Sequence, residues 1–196
     1  MELRSNNDRE KSESQEYIEI LCKEYIAKHI REQERDELIY ENNIEKRDIK
    51  GYHGREILEL LQNADDAYQK SIDLDEKPSC DLEVLIKYKN NILTISNTGT
   101  YFDKAGIKAI VQGNNSSKSG NYIGNKGTGF RSVLNWADEI RIYSGEYNVR
   151  FSKKIANEKF QEIKSEKQIK RQLLRQPDLY IPILAVPQNI KAPNNN

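Results

Sequence analysis

The sequence predicts an α+β fold, a two-layer sandwich in which helices cover one face of a mixed, mostly antiparallel sheet. Two segments, residues 81–96 and 139–152, each alternate apolar and polar residues around a turn and therefore predict β-hairpins. Stretches with helical periodicity precede the first hairpin, separate the two and follow the second. The chain of 196 residues is long enough for one domain with a substantial core.

The composition excludes several classes of protein. Thirty-one basic residues balance 31 acidic ones, so the net charge does not indicate nucleic-acid binding. No apolar run approaches the roughly 20 residues of a membrane span, and the first residues lack the apolar region of a signal peptide. Cys22 and Cys80 have no metal-like spacing, which argues against zinc or a disulfide framework. We therefore expect a cytoplasmic protein without a membrane partner.

Residues 13–45 predict one or two amphipathic helices. They could form a docking or dimerisation arm, or simply pack on the sheet of their own domain, which we favour slightly. The predicted organisation is thus an N-terminal helical arm, residues 1–50, and a main domain, residues 51–196.

Residues 55–70 predict the next helix, with Ile57, Leu61, Ala64 and Tyr68 on its apolar face. A second stripe carries polar side chains, and it is either a solvated helix face or a metal–nucleotide site. The stripe alone favours the solvated face. The chemistry of Mg²⁺ allows the second interpretation, because the ion takes only one or two protein oxygens and completes its shell with water and phosphate oxygens. The stripe consists of Glu59, Asn63, Asp66 and Lys70.

The middle of the chain predicts a hairpin, a short helix and a polar loop. The segments 81–89 and 92–96 predict half-buried strands joined at Asn90 and Asn91, so that the hairpin delivers Asn97 to the site. Asp103 is a candidate N-cap of a short helix that Gly113 ends. Residues 114–122 are too polar to pack firmly, as expected of a nucleotide lid or of a merely flexible loop.

A glycine pattern precedes a predicted helix over residues 130–136. Gly124, Gly127 and Gly129 would let backbone N–H groups approach a phosphate closely. The spacing is neither the Walker A pattern nor the dinucleotide-binding pattern. Farther on, the hairpin 139–152 turns at Gly145, a long charged helix follows, and residues 179–186 predict a strand interrupted by Pro182. The mixed charges of that helix indicate a solvated surface.

The motifs together resemble the GHKL ATPases, the family of gyrase B, the ninety-kilodalton heat-shock chaperone, histidine kinases and MutL. The resemblance is strongest with the sacsin-like branch and covers about residues 50–150. It implies the Bergerat fold. The residues that carry it are ELLQNADDA at 59–67, LTISNTG at 93–99, SSK at 116–118, IGNKGTGF at 123–130 and SG at 144–145.

The resemblance also implies roles for individual residues. Glu59 matches the general base that activates water, Asn63 the Mg²⁺ ligand, and Asp66 an acidic position on the nucleotide side of the helix. Asn97 stands where most members have the aspartate that accepts a hydrogen bond from adenine, and Gly99 lies beside the base. The phosphate-contacting box and candidate triphosphate contacts are Gly124, Gly127, Gly129, the Phe130 backbone, Ser117, Lys118 and Lys126.

Three departures from the family pattern affect these expectations. Asn97 can accept the adenine hydrogen bond but brings no charge to strengthen it. Thr100 follows Gly99 where a second glycine is usual, and neither the later Gly-Thr signature nor the transducer domain with its γ-phosphate lysine or arginine is visible. We expect the N-terminal piece, or a minimal version, of a larger protein.

The resemblance therefore implies Mg²⁺-dependent ATP binding with slow hydrolysis, in which lid closure is coupled to downstream domains or to a second subunit in a nucleotide-dependent dimer. The alternative is a non-hydrolysing ATP-sensing interaction module of a multidomain chaperone-like or defence protein. Glu59 favours the enzyme, and the missing transducer favours the sensor. A histidine-kinase role has little support because neither His29 nor His53 lies in a phosphoacceptor motif.

Overall fold

The computed structural model describes residues 11–31, 36–51, 54–73, 81–113 and 129–193. The elements in these ranges alternate between helices and antiparallel hairpins, so the predicted α+β class is confirmed. The helices are α1 (Glu13–Ile30), α2 (Glu37–Gly51), α3 (Glu56–Asp73), α4 (Lys104–Gln112), α5 (Lys153–Ile163) and α6 (Lys167–Arg175). The strands are β1 (Val84–Lys89), β2 (Ile92–Asn97), β3 (Glu139–Ser144), β4 (Tyr147–Ser152) and β5 (Gln188–Asn189), and 3₁₀ helices span Gly129–Asn135 and Ile183–Ala185.

The described strands form two separate sheets, not the single mixed sheet that we predicted. β1 pairs with β2, while β4 lies between β3 and β5, and every one of these pairs is antiparallel. Two-residue turns join β1 to β2 and β3 to β4, and such short turns can join only antiparallel strands. The short connections therefore account for the antiparallel pairing of both hairpins.

The first hairpin has the predicted turn but not the predicted burial. Asn90 and Asn91 have φ angles of 51° and 59°, which suit the tight turn between right-twisted strands. Both faces of the hairpin expose large apolar side chains, so the half-buried strand that we expected is wrong. Alternation predicts which residues share a face, whereas burial requires an element that covers that face. The exposed side chains are Leu85, Ile86, Tyr88, Ile92 and Leu93.

The core joins the second sheet to helices from both ends of the chain. Val149 and Phe151 of β4 are fully buried and pack in one cluster with residues of α4, α5, α6 and the segment 179–186. Ile18 of α1 and Leu38 of α2 belong to the same cluster. The helices predicted over residues 13–45 are thus confirmed as α1 and α2, and their packing favours the interpretation of helices that cover their own domain.

Two expectations for the C-terminal part are wrong. The predicted long helix is divided into α5 and α6, and Glu166 is the N-cap residue of α6. Residues 179–186 form no strand; they are buried around the 3₁₀ turn Ile183–Ala185, and β5 follows later. Pro182 cannot donate a ladder hydrogen bond, and a short buried apolar run has the same composition whether it is extended or irregular.

The basic residues of α6 lie on the predicted solvated surface, with Lys170 and Arg171 exposed. No helix in the described ranges is long and apolar enough to cross a membrane.

Candidate functional site

The polar stripe lies on α3, at the boundary between the core and solvent. On the apolar face Ala64 is buried, and Ile57, Leu61 and Tyr68 are half-buried. Glu59 and Asp66 are half-buried, and Asn63 is exposed. The predicted helix and its orientation are therefore confirmed, and the three polar side chains remain accessible to a ligand.

The N-terminal half of α3 contacts the last glycine of the glycine pattern. A Cβ atom on Gly129 would overlap the carboxylate of Glu59, with Cδ only 2.9 Å away. Gly129 opens the 3₁₀ helix Gly129–Asn135, and the hydroxyl of Ser132 donates a hydrogen bond of 2.6 Å to the Gly129 carbonyl. The structure thus brings together two residues that lie 70 positions apart in the sequence.

The C-terminal half of α3 contacts Gly99. A Cβ there would lie 2.8 Å from the Ala67 carbonyl carbon and from the Tyr68 nitrogen, and Gly99 has a φ angle of 123°. The backbone N–H and the hydroxyl of Thr100 both donate to the Ala67 carbonyl, at 3.0 and 3.1 Å. Only glycine combines this φ angle with such close packing.

Asn97 is the last residue of β2 and is exposed beside Gly99. Its Nδ2 donates to the Thr98 carbonyl at 2.9 Å, so its Oδ1 is turned away from that carbonyl and can accept from another donor. Thr98 in turn pairs with Glu83, since the Thr98 N–H donates to the Glu83 carbonyl at 3.1 Å. The hairpin therefore ends at Asn97, two residues before the Gly99 contact with α3.

The Ser144–Gly145 turn lies against the chain that follows Gly99. The Phe102 N–H donates to Ser144 Oγ at 2.9 Å, and a Cβ on Gly145 would lie 3.2 Å from the Tyr101 ring. Asp103 caps α4 by accepting from the Gly106 N–H at 2.7 Å, as predicted. The segments at Gly99 and Gly129 thus contact α3 directly, and the Ser144–Gly145 turn packs on the chain that follows the first of them.

The predicted site residues fall into two groups. Glu59 meets Gly129, Gly99 meets the other half of α3, and Asn63 and Asp66 lie between these contacts on the same helix. Phe130 is half-buried and packs against the core cluster. The other predicted contacts lie outside the described residues: Ser117, Lys118, Gly124, Lys126 and Gly127.

Sequence reasoning missed two buried charged residues beside this site. Glu56 is 1% exposed and accepts a hydrogen bond of 3.0 Å from Asn135 Nδ2. Arg131 is 6% exposed, and its Nη1 lies 3.7 Å from Oε1 of Glu45, itself 1% exposed. The sequence signal for the burial of Arg131 was its place among the apolar residues of the predicted helix 130–136. Glu56 gave a weaker signal, because it lies only at the edge of the apolar face of its helix.

Burial sets the electrostatics of the Arg131 environment. It raises the pKa of Glu45, while the Arg131 guanidinium opposes that rise. The pKa of Tyr180 is also raised, first by burial and then by the charge of Glu45. A charged pair in this position loses hydration that only close partners can replace.

The residues around α3 provide the donor types that a magnesium nucleotide requires. The exposed Asn63 amide offers one oxygen ligand, and Mg²⁺ completes its shell with water and phosphate oxygens. Within the described ranges, no group of three or more His, Cys, Asp or Glu side chains could hold a metal ion on its own.

The comparisons with known proteins reach only part of the chain. No protein-family model and no solved structure matches it. Over 98 residues, 48% of the chain, the sequence is 35% identical to Protein NO VEIN of Arabidopsis thaliana. The matched part is only 3% of the length of that protein, so the likeness is to one segment of a much longer chain.

Proposed function

We propose that this chain is a GHKL-type, sacsin-like ATP-binding domain of the Bergerat fold, which binds ATP with Mg²⁺ and hydrolyses it slowly. The observation that carries the proposal is the pair of glycine contacts on α3, with Gly129 against Glu59 and Gly99 against the backbone of Ala67. These are the two ends at which the family resemblance expects the phosphates and the adenine.

The dimensions of α3 support this assignment. Glu59 and Ala67 are about 12 Å apart along the helix axis, at 1.5 Å per residue. That separation suits an extended nucleoside triphosphate lying along α3, with its base near Asn97 and its γ-phosphate near Glu59. Asn63 would face the middle of such a ligand, and Asp66 would lie toward its adenine end.

The chemistry assigned to the chain is positioning and proton transfer. Bound Mg²⁺ would neutralise phosphate charge, and Asn63 Oδ1 would hold it from the protein side. Glu59 would orient a water molecule in line with the γ-phosphate and accept its proton during attack. The backbone at Gly129 would approach the phosphates closely because no side chain intervenes.

Asn97 would recognise the base. Its Nδ2 is bound to the Thr98 carbonyl, so its Oδ1 would accept a hydrogen bond from the exocyclic amine of adenine. Guanine presents a carbonyl oxygen at that position, which cannot donate. We therefore expect a preference for adenine, although a neutral acceptor provides less discrimination than a carboxylate.

The second candidate is an ATP-sensing module that binds without useful turnover. Glu59, the candidate general base, favours the ATPase over this alternative. In both cases the expected partners are downstream domains or a second subunit, in a cytoplasmic chaperone-like or defence protein.

Calorimetric titration with a non-hydrolysable ATP analogue tests the binding that both candidates require. We expect binding that depends on Mg²⁺, is lost on chelation with EDTA and is weaker for the matching GTP analogue. A folded chain that binds neither analogue would contradict the proposed function.

Two substitutions on α3 separate binding from hydrolysis. Glu59→Gln should retain Mg²⁺-dependent binding and lower turnover by about 10²–10⁴-fold, because it removes the general base. Asn63→Ala should instead weaken binding only when Mg²⁺ is present. Phosphate release and calorimetry measure the two effects, with the exposed neighbour Gln62→Ala as the matched control. Parental turnover in Glu59→Gln would refute the role of Glu59 as base.

A further inference from the structure

We infer that Arg131 is a positioning residue through which α2 sets the place of Gly129 beside Glu59; the inference rests on the proposed nucleotide site. Arg131 stands two residues after Gly129 in the same 3₁₀ helix. Its guanidinium pairs with Glu45 of α2, so its effect on the nucleotide site would be indirect.

The guanidinium of Arg131 joins three elements. Its Nη1 lies 3.7 Å from Glu45 Oε1 on α2. It also lies against the backbone of Gly113, where an added Cβ would come within 3.0 Å of Cζ and 3.1 Å of Nε. Gly113 ends α4 with a φ angle of 60°, and the last carbonyls of a helix carry partial negative charge. Arg131 therefore connects the Gly129–Asn135 helix with both α2 and α4.

The other end of this 3₁₀ helix is also bound to α2. Asn135 Nδ2 donates to the Ile49 carbonyl of α2 and to Glu56 Oε1 of α3, each at 3.0 Å. Ile49 lies one turn beyond Glu45 on α2, so the short helix is fixed to one side of α2 at both ends. Displacement of α2 would therefore shift Gly129 relative to the Glu59 carboxylate.

The Arg131–Glu45 ion pair is not expected to stabilise the fold. Both side chains are more than 90% buried, and among the described residues Arg131 Nε and Glu45 Oε1 have no hydrogen-bond partner. A buried ion pair with incomplete hydrogen bonding is often no more stable than apolar residues of similar volume. Its position between α2 and the helix that begins at Gly129 instead suits a role in placing that helix beside the nucleotide site.

The test replaces the pair by apolar residues and compares stability with nucleotide handling. In Arg131→Met/Glu45→Leu, we expect urea unfolding at or above the parental midpoint, together with at least tenfold weaker binding of the non-hydrolysable ATP analogue and at least tenfold lower turnover at saturating ATP. Arg131→Lys retains the charge and should recover part of both losses. Arg171→Met, which removes an exposed arginine of α6, is the control and should match the parent.

The outcomes separate the inference from the proposed function. A parent chain that binds no nucleotide contradicts the proposed function itself. A parent that binds, together with a stably folded double variant of parental affinity and turnover, overturns the positioning role of Arg131. If the double variant does not fold, Arg131→Lys decides alone: parental turnover and affinity in that folded variant would overturn the inference.

Discussion

Gly129 and Glu59 depend on each other, because the carboxylate occupies the space that any side chain at position 129 would need. Glycine is therefore required there for a reason beyond backbone flexibility. The contact also restricts Glu59 to one side of the glycine backbone, which would limit the entropy that the proposed general base loses when it orients water.

Gly129→Ala should displace the Glu59 carboxylate and lower ATP turnover by at least tenfold. The clash falls on the far end of a side chain that can rotate away, so we expect a loss of only about 1–3 kcal/mol in the free energy of unfolding. Phosphate release and urea denaturation measure the two effects.

Gly51→Ala is the matched control, since a Cβ at Gly51 meets nothing within 4 Å. Its stability should stay within about 0.5 kcal/mol of the parent. Parental turnover in Gly129→Ala would show that the carboxylate does not need its present position.

The stripe on α3 could be predicted because helical periodicity is local, and Glu59, Asn63 and Asp66 lie on one helix as expected. The burial of Glu56 and Arg131 could not, because it depends on partners distant in sequence. Asn135 lies 79 positions from Glu56, and Glu45 lies 86 positions from Arg131. Charged residues are buried only where such partners exist, and a single sequence does not identify them.

Individual elements follow the sequence where their signals are local. The Asn90–Asn91 turn, the Asp103 cap and the hairpin at Gly145 all appear as predicted. The burial of the first hairpin and the strand over residues 179–186 were wrong because both depend on which elements lie alongside. Gly99 shows the same distinction, since the close packing that excludes a side chain there arises only where the chain after β2 meets α3.

Gly99→Ala should separate the β2 end of the hairpin from α3. The added Cβ would meet backbone atoms of Ala67 and Tyr68, which no rotamer change can move, and it would also strain a φ angle of 123°. We expect a loss well above 3 kcal/mol in the free energy of unfolding, or local detachment of the hairpin with weaker adenine-nucleotide binding. Urea denaturation and calorimetry would measure both outcomes.

Gly54→Ala isolates the contribution of backbone strain. Gly54 has a φ angle of 84° but nothing within 4 Å of its Cβ position, so its substitution should cost about 1–3 kcal/mol from strain alone. If Gly99→Ala and Gly54→Ala lost the same free energy of unfolding, the contact between Gly99 and α3 would contribute nothing measurable to stability.

At the scale of the whole molecule, the described ends of the chain meet. Asn189 Nδ2 of β5 donates to the Gln15 carbonyl of α1 at 2.8 Å, and Ser14 Oγ donates to the Glu146 carbonyl at 3.1 Å. α1 is therefore bound both to β5 and to the turn between β3 and β4, which lie far from it in the sequence. Such long-range closure leaves no pattern in the sequence, which is why residues 13–45 alone favoured a packed helix only slightly over an arm.

Two isoleucines on α1 test whether this helix is part of the cooperative core. Ile18 is 1% exposed and lies in the core cluster, whereas Ile20 is 47% exposed on the same helix. Ile18→Ala should lower the free energy of unfolding by about 2–5 kcal/mol, because it leaves a cavity in the packed cluster. Ile20→Ala removes the same atoms with the same change in helix propensity and should change the free energy of unfolding by less than about 1 kcal/mol.

Because α1 shares its core with β4 and α4, the loss in Ile18→Ala should appear in one unfolding transition recorded by both circular dichroism and Trp136 fluorescence. Similar small losses in both variants, or an early separate transition of α1, would instead identify residues 13–30 as an independent arm.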